Sequence, residues 1–251
     1  MNWIKKIFWK RKGTGVIPQL SDSRDYKYQK VELSNEINKV DLRDKFPPVT
    51  NQGSYNSCTA HAVCALLDYE LKYNKKFEGW DFDTSEAFTW YCSRNEEGTS
   101  TKNVGVQLRN VFKSIKKYGF VRQESFNYSN NVYDYPGDQV MIEGQLFDLQ
   151  LKNLPSYYVI DGISDIKDSL DHNHPVVFAF PVSDDFMYND KEIFIGSVAN
   201  DYGFHGMLIV GYNDYGFIIR NSWGKYWGKD GYTIIGFNTL INNAFDLWCL
   251  Q

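Results

Sequence analysis

The spacing of apolar residues divides the chain into a helical front half and a β-rich back half. From Cys58 to about Asn74, apolar residues recur at intervals of three and four, which is typical of an amphipathic helix. Ser57 is the candidate N-cap of this helix. Further helices are predicted at about residues 84–94 and 106–118, and the latter stops at Gly119. A short helix is predicted over residues 163–172.

The back half contains short β-branched and aromatic runs separated by Gly, Asn and Asp turns. A stretch rich in Tyr and Asn, residues 125–150, is interpreted as the connection between the halves. The pattern therefore predicts an α+β fold with two lobes. The predicted strands lie within residues 175–182, 205–213, 216–223 and 231–237.

The same pattern suggests a division of the chain into four segments. Residues 1–12 form a basic tail, and residues 13–40, with their Gly and Pro positions, form an extended lead-in. Residues 41–148 make up a helical lobe and residues 149–251 a β-rich lobe. The two lobes together form one catalytic domain over residues 41–251.

The first twelve residues, MNWIKKIFWKRK, carry five Lys or Arg residues and no acid. Trp3, Ile4, Ile7 and Phe8 would share one face of a helix, so a basic amphipathic helix in peripheral contact with an anionic membrane is one interpretation. A disordered tail, or a segment packed on the domain, is the other. Lysines interrupt the apolar stretch too early for a secretory leader.

Composition narrows the function classes. The formal net charge is −4, so no nucleic-acid partner is expected. No apolar run approaches the roughly 20 residues that span a bilayer. The four cysteines form no CxxC pair, and we expect neither a metal nor a cofactor. Cys64, Cys92 and Cys249 are interpreted as buried thiols, with a Cys64–Cys92 bridge left open. A cytoplasmic or other intracellular location is favoured. The oligomeric state is left open.

Cys58 is the candidate nucleophile because it falls on the first turn of the predicted helix. A thiol becomes an effective nucleophile as a thiolate, and a helix N-terminus lowers its pKa. Such a cysteine also needs an imidazole from elsewhere in the fold and a third residue that fixes the ring.

Four histidines could supply that imidazole. His61 follows on the same helix and is interpreted as a packing or surface residue. His172 and His174 lie in a predicted loop and are interpreted as facing solvent. His205 opens an apolar strand, and Asn221 ends the next strand sixteen residues later. Adjacent antiparallel strands can bring these two side chains together.

Three segments carry a resemblance to a known family. NQGSYNSCTAHA (51–62) resembles the nucleophile motif of papain-like cysteine peptidases, and HGMLIVGY (205–212) resembles their catalytic-histidine strand. RNSWGKYWGKDGY (220–232) resembles their Asn-Ser-Trp-Gly block. The likeness covers roughly residues 41–251 and is closer to prokaryote-type members with a Ser-Cys-Thr-Ala motif. GVIPQLSDSRDY (15–26) resembles the short lead-in of such members, which argues against a long helical prosegment.

The resemblance implies a papain-like fold: a helical lobe and an antiparallel, β-barrel-like lobe with the active-site cleft between them. It implies hydrolysis of peptide or protein substrates through an acyl-enzyme intermediate. Cys58 would be the nucleophile, His205 its base, Asn221 the orienting residue and Gln52 an oxyanion-hole donor.

Four further residues would line the cleft in this family pattern. Trp223 would shield the histidine–asparagine hydrogen bond, and Trp227 would form part of the leaving-group side. Gly105 would pair its backbone with substrate, and Phe204 would close part of a specificity pocket. No metal ligand is implied.

Two alternative functions stay open at this stage. Asn56 replaces the Gly that family members usually carry two residues before the nucleophile. That change could impair the oxyanion hole and leave a catalytically weak or inactive peptide-binding protein with a papain fold. A transglutaminase-like or amidase-like acyl-transfer enzyme is the other alternative, although such enzymes generally finish their triad with Asp.

Overall fold

The computed structural model describes residues 11–30, 39–74, 83–128, 132–151 and 156–251, with only the backbone for residues 147–151. The predicted membrane-contacting helix over residues 1–12 lies outside these ranges except for its last two residues. The Arg11 guanidinium lies 5.2 Å from the centre of the Tyr202 ring. In the described ranges, no helix is both long enough and apolar enough to cross a membrane.

The helices predicted from spacing are all present. The first, α1, begins at Cys58, and its last turns continue as a π-helix over Glu70–Asn74. Ser57 precedes α1, but its side chain does not cap the helix. The Ser57 hydroxyl instead bonds the Tyr128 hydroxyl at 2.5 Å, because this buried pair satisfies both polar groups. The helices are α1 (Cys58–Tyr69), α2 (Glu86–Glu96), α3 (Leu108–Tyr118), α4 (Asp138–Leu151), α5 (Gly162–Asp171), α6 (Asp184–Met187) and α7 (Phe237–Ile241).

Helix α4 lies where the sequence predicted only a connection. Ile142 and Leu146 are exposed on it, so its apolar residues do not form a single stripe. Val140 and Met141 pack against a small cluster around Phe88. The helix crosses the predicted lobe boundary between residues 148 and 149, and that division stays a prediction.

The back half forms one mixed sheet. Its order is β2-β8-β3-β5-β6-β7-β4, and β1 pairs with β5 beside this path. All the pairs are antiparallel except β4 with β7. The strands are β1 (Val40–Asp41), β2 (Tyr157–Val159), β3 (Val176–Pro181), β4 (Ile193–Phe194), β5 (Phe204–Asn213), β6 (Gly216–Arg220), β7 (Tyr232–Ile235) and β8 (Phe245–Leu250).

The α+β class is therefore confirmed, but the barrel-like closure is wrong. In the described chain, β2 and β4 end the path and do not pair with each other, so the sheet is open. Strand β4 has only two residues, which leaves little backbone for a closing ladder.

Helix α1 packs against the centre of the sheet and so positions the site. A Cβ added to Gly206 of β5 would lie 3.3 Å from the Cα of Thr59. The first turn of α1 therefore sits directly on β5, next to His205. All four cysteines are buried and free, so the Cys64–Cys92 bridge left open by the sequence is not formed.

Candidate active site

Cys58 is the first residue of α1 and is completely buried. Burial raises the pKa of its thiol to about 11, although backbone hydrogen bonds from Gly206, Gly15 and Thr59 act in the opposite direction. The helix N-terminus alone therefore does not produce a thiolate in this arrangement. One of the opposing bonds comes from Gly15, which belongs to the lead-in.

His205 and Asn221 meet as the strand pattern predicted. His205 Nε2 lies 2.7 Å from Asn221 Oδ1, so the ring donates to the amide oxygen. The Trp223 ring stacks on the imidazole with 4.2 Å between centroids and shields this bond. Burial lowers the pKa of His205 to about 3, against the opposing effect of the Asn221 bond. Burial therefore favours the neutral forms of both the Cys58 thiol and the His205 imidazole.

The Gln52 side chain is buried beside the same residues. Ser222 Oγ donates to Gln52 Oε1 at 2.6 Å, which turns the Gln52 amide nitrogen toward the cleft. That nitrogen donates to the backbone oxygens of Tyr55 and Gly13, at 2.7 and 3.1 Å. An oriented N–H donor at this position is what an oxyanion hole requires.

The lead-in runs through the cleft and occupies it. The Gly13 carbonyl oxygen accepts from Gln52 Nε2 and, at 3.2 Å, from Trp223 Nε1. Val16 N donates to the Phe204 oxygen at 3.0 Å, and Val106 N donates to the Gly15 oxygen at 2.9 Å. The lead-in thus forms the backbone pairs that an extended peptide would form there.

Glycines make this close approach feasible. A Cβ on Gly13 would lie 1.8 Å from the Tyr55 oxygen, and one on Gly15 would lie 2.1 Å from the Asn56 oxygen. A Cβ on Gly105 would lie 2.1 Å from the Gly15 oxygen. Any side chain at these positions would overlap backbone atoms.

The remaining residues predicted for the cleft lie around its edge. Trp227 is buried, donates from Nε1 to the Phe186 oxygen at 3.0 Å and packs edge-on against Trp223. The half-buried Phe204 ring packs edge-on against Phe245, while its backbone oxygen holds Val16. Both aromatic rings therefore stabilise the walls of the cleft.

Two residues at the site make contacts that the sequence did not predict. Asn56 Oδ1 accepts from Thr14 N at 3.2 Å, so the residue that departs from the family pattern clasps the lead-in. His61 is buried, with Nδ1 3.2 Å from Glu86 Oε1. Asn56 stood out only as a departure from a pattern, and a carboxylate on another helix cannot be paired with a histidine from spacing alone.

The two histidines predicted to face solvent are partly buried. His174 Nδ1 lies 2.9 Å from Glu70 Oε1, and Glu70 is completely buried. His172 Nδ1 bonds the Asp168 backbone oxygen at 2.8 Å. The expectation that both rings face solvent is therefore wrong, because each ring bonds an acceptor of the folded chain.

Comparison with known proteins places this geometry in a family. A family model described as papain family cysteine protease matches residues 37–244. The chain is 28% identical over 216 residues to a peptidase C1-like protein of Acanthamoeba polyphaga mimivirus, covering 80% of this chain and 68% of that protein. It is 29% identical over 226 residues to a KDEL-tailed cysteine endopeptidase of Arabidopsis thaliana, covering 84% of this chain and 57% of that protein. The chain therefore spans between half and about two thirds of these curated relatives.

Solved structures agree with this match. Xylellain, a cysteine protease from Xylella fastidiosa, superposes with a TM-score of 0.84 at 28% identity, over 97% of this chain and 98% of that one. A digestive procathepsin L 3 from Tenebrio molitor superposes with a TM-score of 0.71 at 20% identity, over 96% of this chain and 76% of that one, and shares the fold. The resemblance found in the three motifs is confirmed: this chain belongs to the papain family of cysteine proteases.

Proposed function

We propose that this chain hydrolyses peptide bonds with Cys58 as nucleophile and that its lead-in holds it in a blocked state. The observation that carries the proposal is the hydrogen bond between His205 Nε2 and Asn221 Oδ1. With its only ring proton on Nε2, neutral His205 keeps Nδ1 as a lone-pair acceptor. His205 Nδ1 is buried without a hydrogen-bond partner in the described structure.

In the proposed reaction, His205 Nδ1 takes the thiol proton and the Cys58 sulfur attacks the substrate carbonyl. The Gln52 amide and the Cys58 backbone N–H hold the oxyanion, each donor being worth about 3 kcal/mol. His205 then returns the proton to the leaving amine and an acyl-enzyme forms. A water, activated by His205, releases the acid and regenerates the thiol.

The blocked state follows from where the lead-in lies. Gln52 Nε2 already donates a hydrogen bond to the Gly13 carbonyl oxygen, so this donor is not available to a substrate oxyanion. The backbone partners at Phe204 and Val106 are also taken. Burial beneath the lead-in also favours the neutral forms of Cys58 and His205. Release of the segment would reopen the cleft and rehydrate both groups.

A peptide-library digestion of the full chain tests the proposal. Wild type, Cys58→Ala and Asn221→Ala are incubated with the library, with and without brief trypsin treatment that cuts after Arg24 or Lys27 and so separates the cleft-bound part of the lead-in from the domain. The proposal expects cleavage that increases after trypsin and disappears in Cys58→Ala. Cleavage that Cys58→Ala retains would overturn the assignment of the nucleophile.

A parallel incubation with a primary amine addresses the other functions. Amine incorporation without hydrolysis would indicate acyl transfer. Library peptides retained without cleavage, equally by wild type and Cys58→Ala, would indicate a non-catalytic binding protein.

A further inference from the structure

A small cavity lies behind the His205–Asn221 pair, between α1 and the sheet. The space within it open to the centre of a water molecule is about 10 Å³. That is about the minimum volume that one ordered water requires. The cavity is lined by residues of α1, β5 and β6, among them His61, and by Thr50, Asn221 and Ser222 outside these elements.

Two of these residues present buried polar atoms that have no hydrogen-bond partner in the described structure. They are His61 Nε2 and Asn221 Nδ2. A buried polar atom without a partner destabilises the folded state, so each of these atoms calls for one. A single water in a polar cavity commonly supplies such partners.

The other side of the His61 ring is fixed. Nδ1 lies 2.9 Å from Thr50 Oγ1 and 3.2 Å from Glu86 Oε1, and the Tyr128 ring packs edge-on 4.8 Å away. Burial alone would raise the pKa of the Glu86 carboxyl, but the hydrogen bond from His61 Nδ1 and the charge of Arg220 act to lower it. A carboxylate at Nδ1 keeps a proton there, so Nε2 is left for the cavity.

We infer that His61 is a positioning residue that acts on Asn221 through one water in this cavity. Asn221 Nδ2 donates to the water, and the water donates to His61 Nε2. The inference rests on the proposed function, because its consequence concerns how His205 is held for catalysis. The inference gives a role in the reaction to a second imidazole, that of His61, which is paired with the Glu86 carboxylate.

The consequence is a fixed amide orientation. Ser222 N already donates to Asn221 Oδ1 at 2.7 Å, and the water at Nδ2 strengthens the same orientation, in which Oδ1 faces His205 and accepts only from an Nε2–H. An inverted amide would set N–H against N–H and favour the tautomer that carries its proton on Nδ1. That tautomer cannot accept the thiol proton. His61 therefore protects the productive tautomer without touching the substrate.

Ring-nitrogen NMR of the ¹⁵N-histidine-labelled full chain tests the inference. With four histidines in the chain, His205 can be assigned from His205→Gln. Wild type and His61→Gln, which keeps a polar group at the cavity, should show the Nε2–H tautomer. His61→Leu and Asn221→Ala should show a mixture, and the double variant should be no worse than Asn221→Ala alone.

The kinetics of the same variants should distinguish a positioning role for His61 from a simple packing defect. His61→Leu should lower kcat for peptide hydrolysis about tenfold with KM unchanged, as loss of an orienting outer partner commonly does. Val63→Ala, a buried change on the same helix that does not line the cavity, should change neither the tautomer nor kcat. If His61→Leu does not fold, a cross-peak in wild type between the Asn221 amide and a bound water gives the same information.

An unaltered His205 tautomer in His61→Leu, or no bound water at Asn221, would overturn the inference. Additive losses in the double variant would do so too. A wild type with the expected tautomer and water but no peptide cleavage even after trypsin removes the lead-in would instead overturn the proposed function and leave the inference standing.

Discussion

At the scale of single residues, Gly13 and Gly15 decide whether the cleft can be occupied. Their missing side chains allow the lead-in backbone to lie against the backbone of Tyr55 and Asn56. The catalytic candidates are buried as a result. The state of the site is therefore set by residues outside its catalytic motifs.

Gly15→Ala should activate the enzyme. The added methyl would lie 2.1 Å from the Asn56 oxygen, and forced overlap of this kind costs about 1–3 kcal/mol. The bound state of the lead-in should weaken by that amount, which corresponds to about 5–150-fold. We expect the initial rate of peptide hydrolysis to rise by a factor in this range.

Gly236→Ala is the matched control, since its nearest atoms to a new Cβ lie 3.8 Å away. It should leave the rate unchanged. A Gly15→Ala enzyme no faster than this control would show that the lead-in does not limit access to the cleft.

The sequence predicted the residues that belong to motifs and missed those that act through tertiary contacts. Cys58, His205 and Asn221 stood out because each combines its residue type with a recognisable local setting. Glu86 and Thr50 reach His61 from different segments, and no spacing rule joins them. The hydrogen bond from Thr14 N to Asn56 Oδ1 joins residues 42 positions apart, and the sequence did not predict it either.

At the scale of elements, the lead-in is attached to α3 by a buried ion pair. Arg109 donates to both carboxylate oxygens of Asp25, at 3.0 and 2.5 Å. Both side chains are largely buried. A second pair, Asp22 with Arg24, lies within the lead-in at the surface.

Asp25→Asn should loosen this attachment. Removing one partner of a buried pair leaves the Arg109 charge uncompensated, at a cost of about 3–5 kcal/mol. Limited trypsin digestion should then cut after Arg24 and Lys27 at least tenfold faster. Asp22→Asn removes a fully exposed pair and should change the rate of cutting after Lys27 little. Equal rates in the two variants would contradict an anchoring role for Asp25.

Asp68 on α1 should make stability depend on pH. Burial raises the pKa of this carboxyl to about 8, against the hydrogen bonds from Thr84. The folded state therefore holds a proton that the unfolded chain releases near pH 4. The free energy of unfolding should fall as the pH rises from about 4 to about 8.

Urea unfolding at a series of pH values tests this slope. Asp68→Asn keeps the shape without the ionisation, so its unfolding free energy should decline less over that window. Parallel slopes in the two proteins would show that Asp68 titrates as an ordinary carboxyl.

The spacing of apolar residues predicted the helices that bury a single apolar face. It did not predict the helix whose apolar residues lie on both its buried and its exposed side. Helices α1, α2, α3 and α5 fell within a few residues of their predicted bounds. Helix α4 was missed because apolar residues stand on its exposed side as well. Ser57 has the right type and place for a cap, but its hydroxyl bonds Tyr128 instead, a tertiary preference that local propensity cannot show.

At the scale of the whole molecule, the α+β class and the contact between helix and sheet were predicted correctly, but the expected barrel-like closure was wrong because the sheet is open. Alternation of residues places a strand in a sheet, while the pairing of edge strands depends on their lengths and neighbours. Strand β4 has only two residues, too few for an alternation pattern to predict it from the sequence. The path of the lead-in across the cleft likewise depends on contacts spread over both halves.

The central claim is that Cys58 is an activated nucleophile covered by the lead-in. The most direct test is the pH dependence of Cys58 alkylation by iodoacetamide, read by peptide mapping in wild type and Gly15→Ala. In wild type we expect slow reaction with a midpoint near 11, the pKa to which burial raises this thiol. In Gly15→Ala we expect fast reaction with a midpoint below the ordinary cysteine value of about 8.5. The same ordinary profile in both proteins would contradict both the activation and the cover.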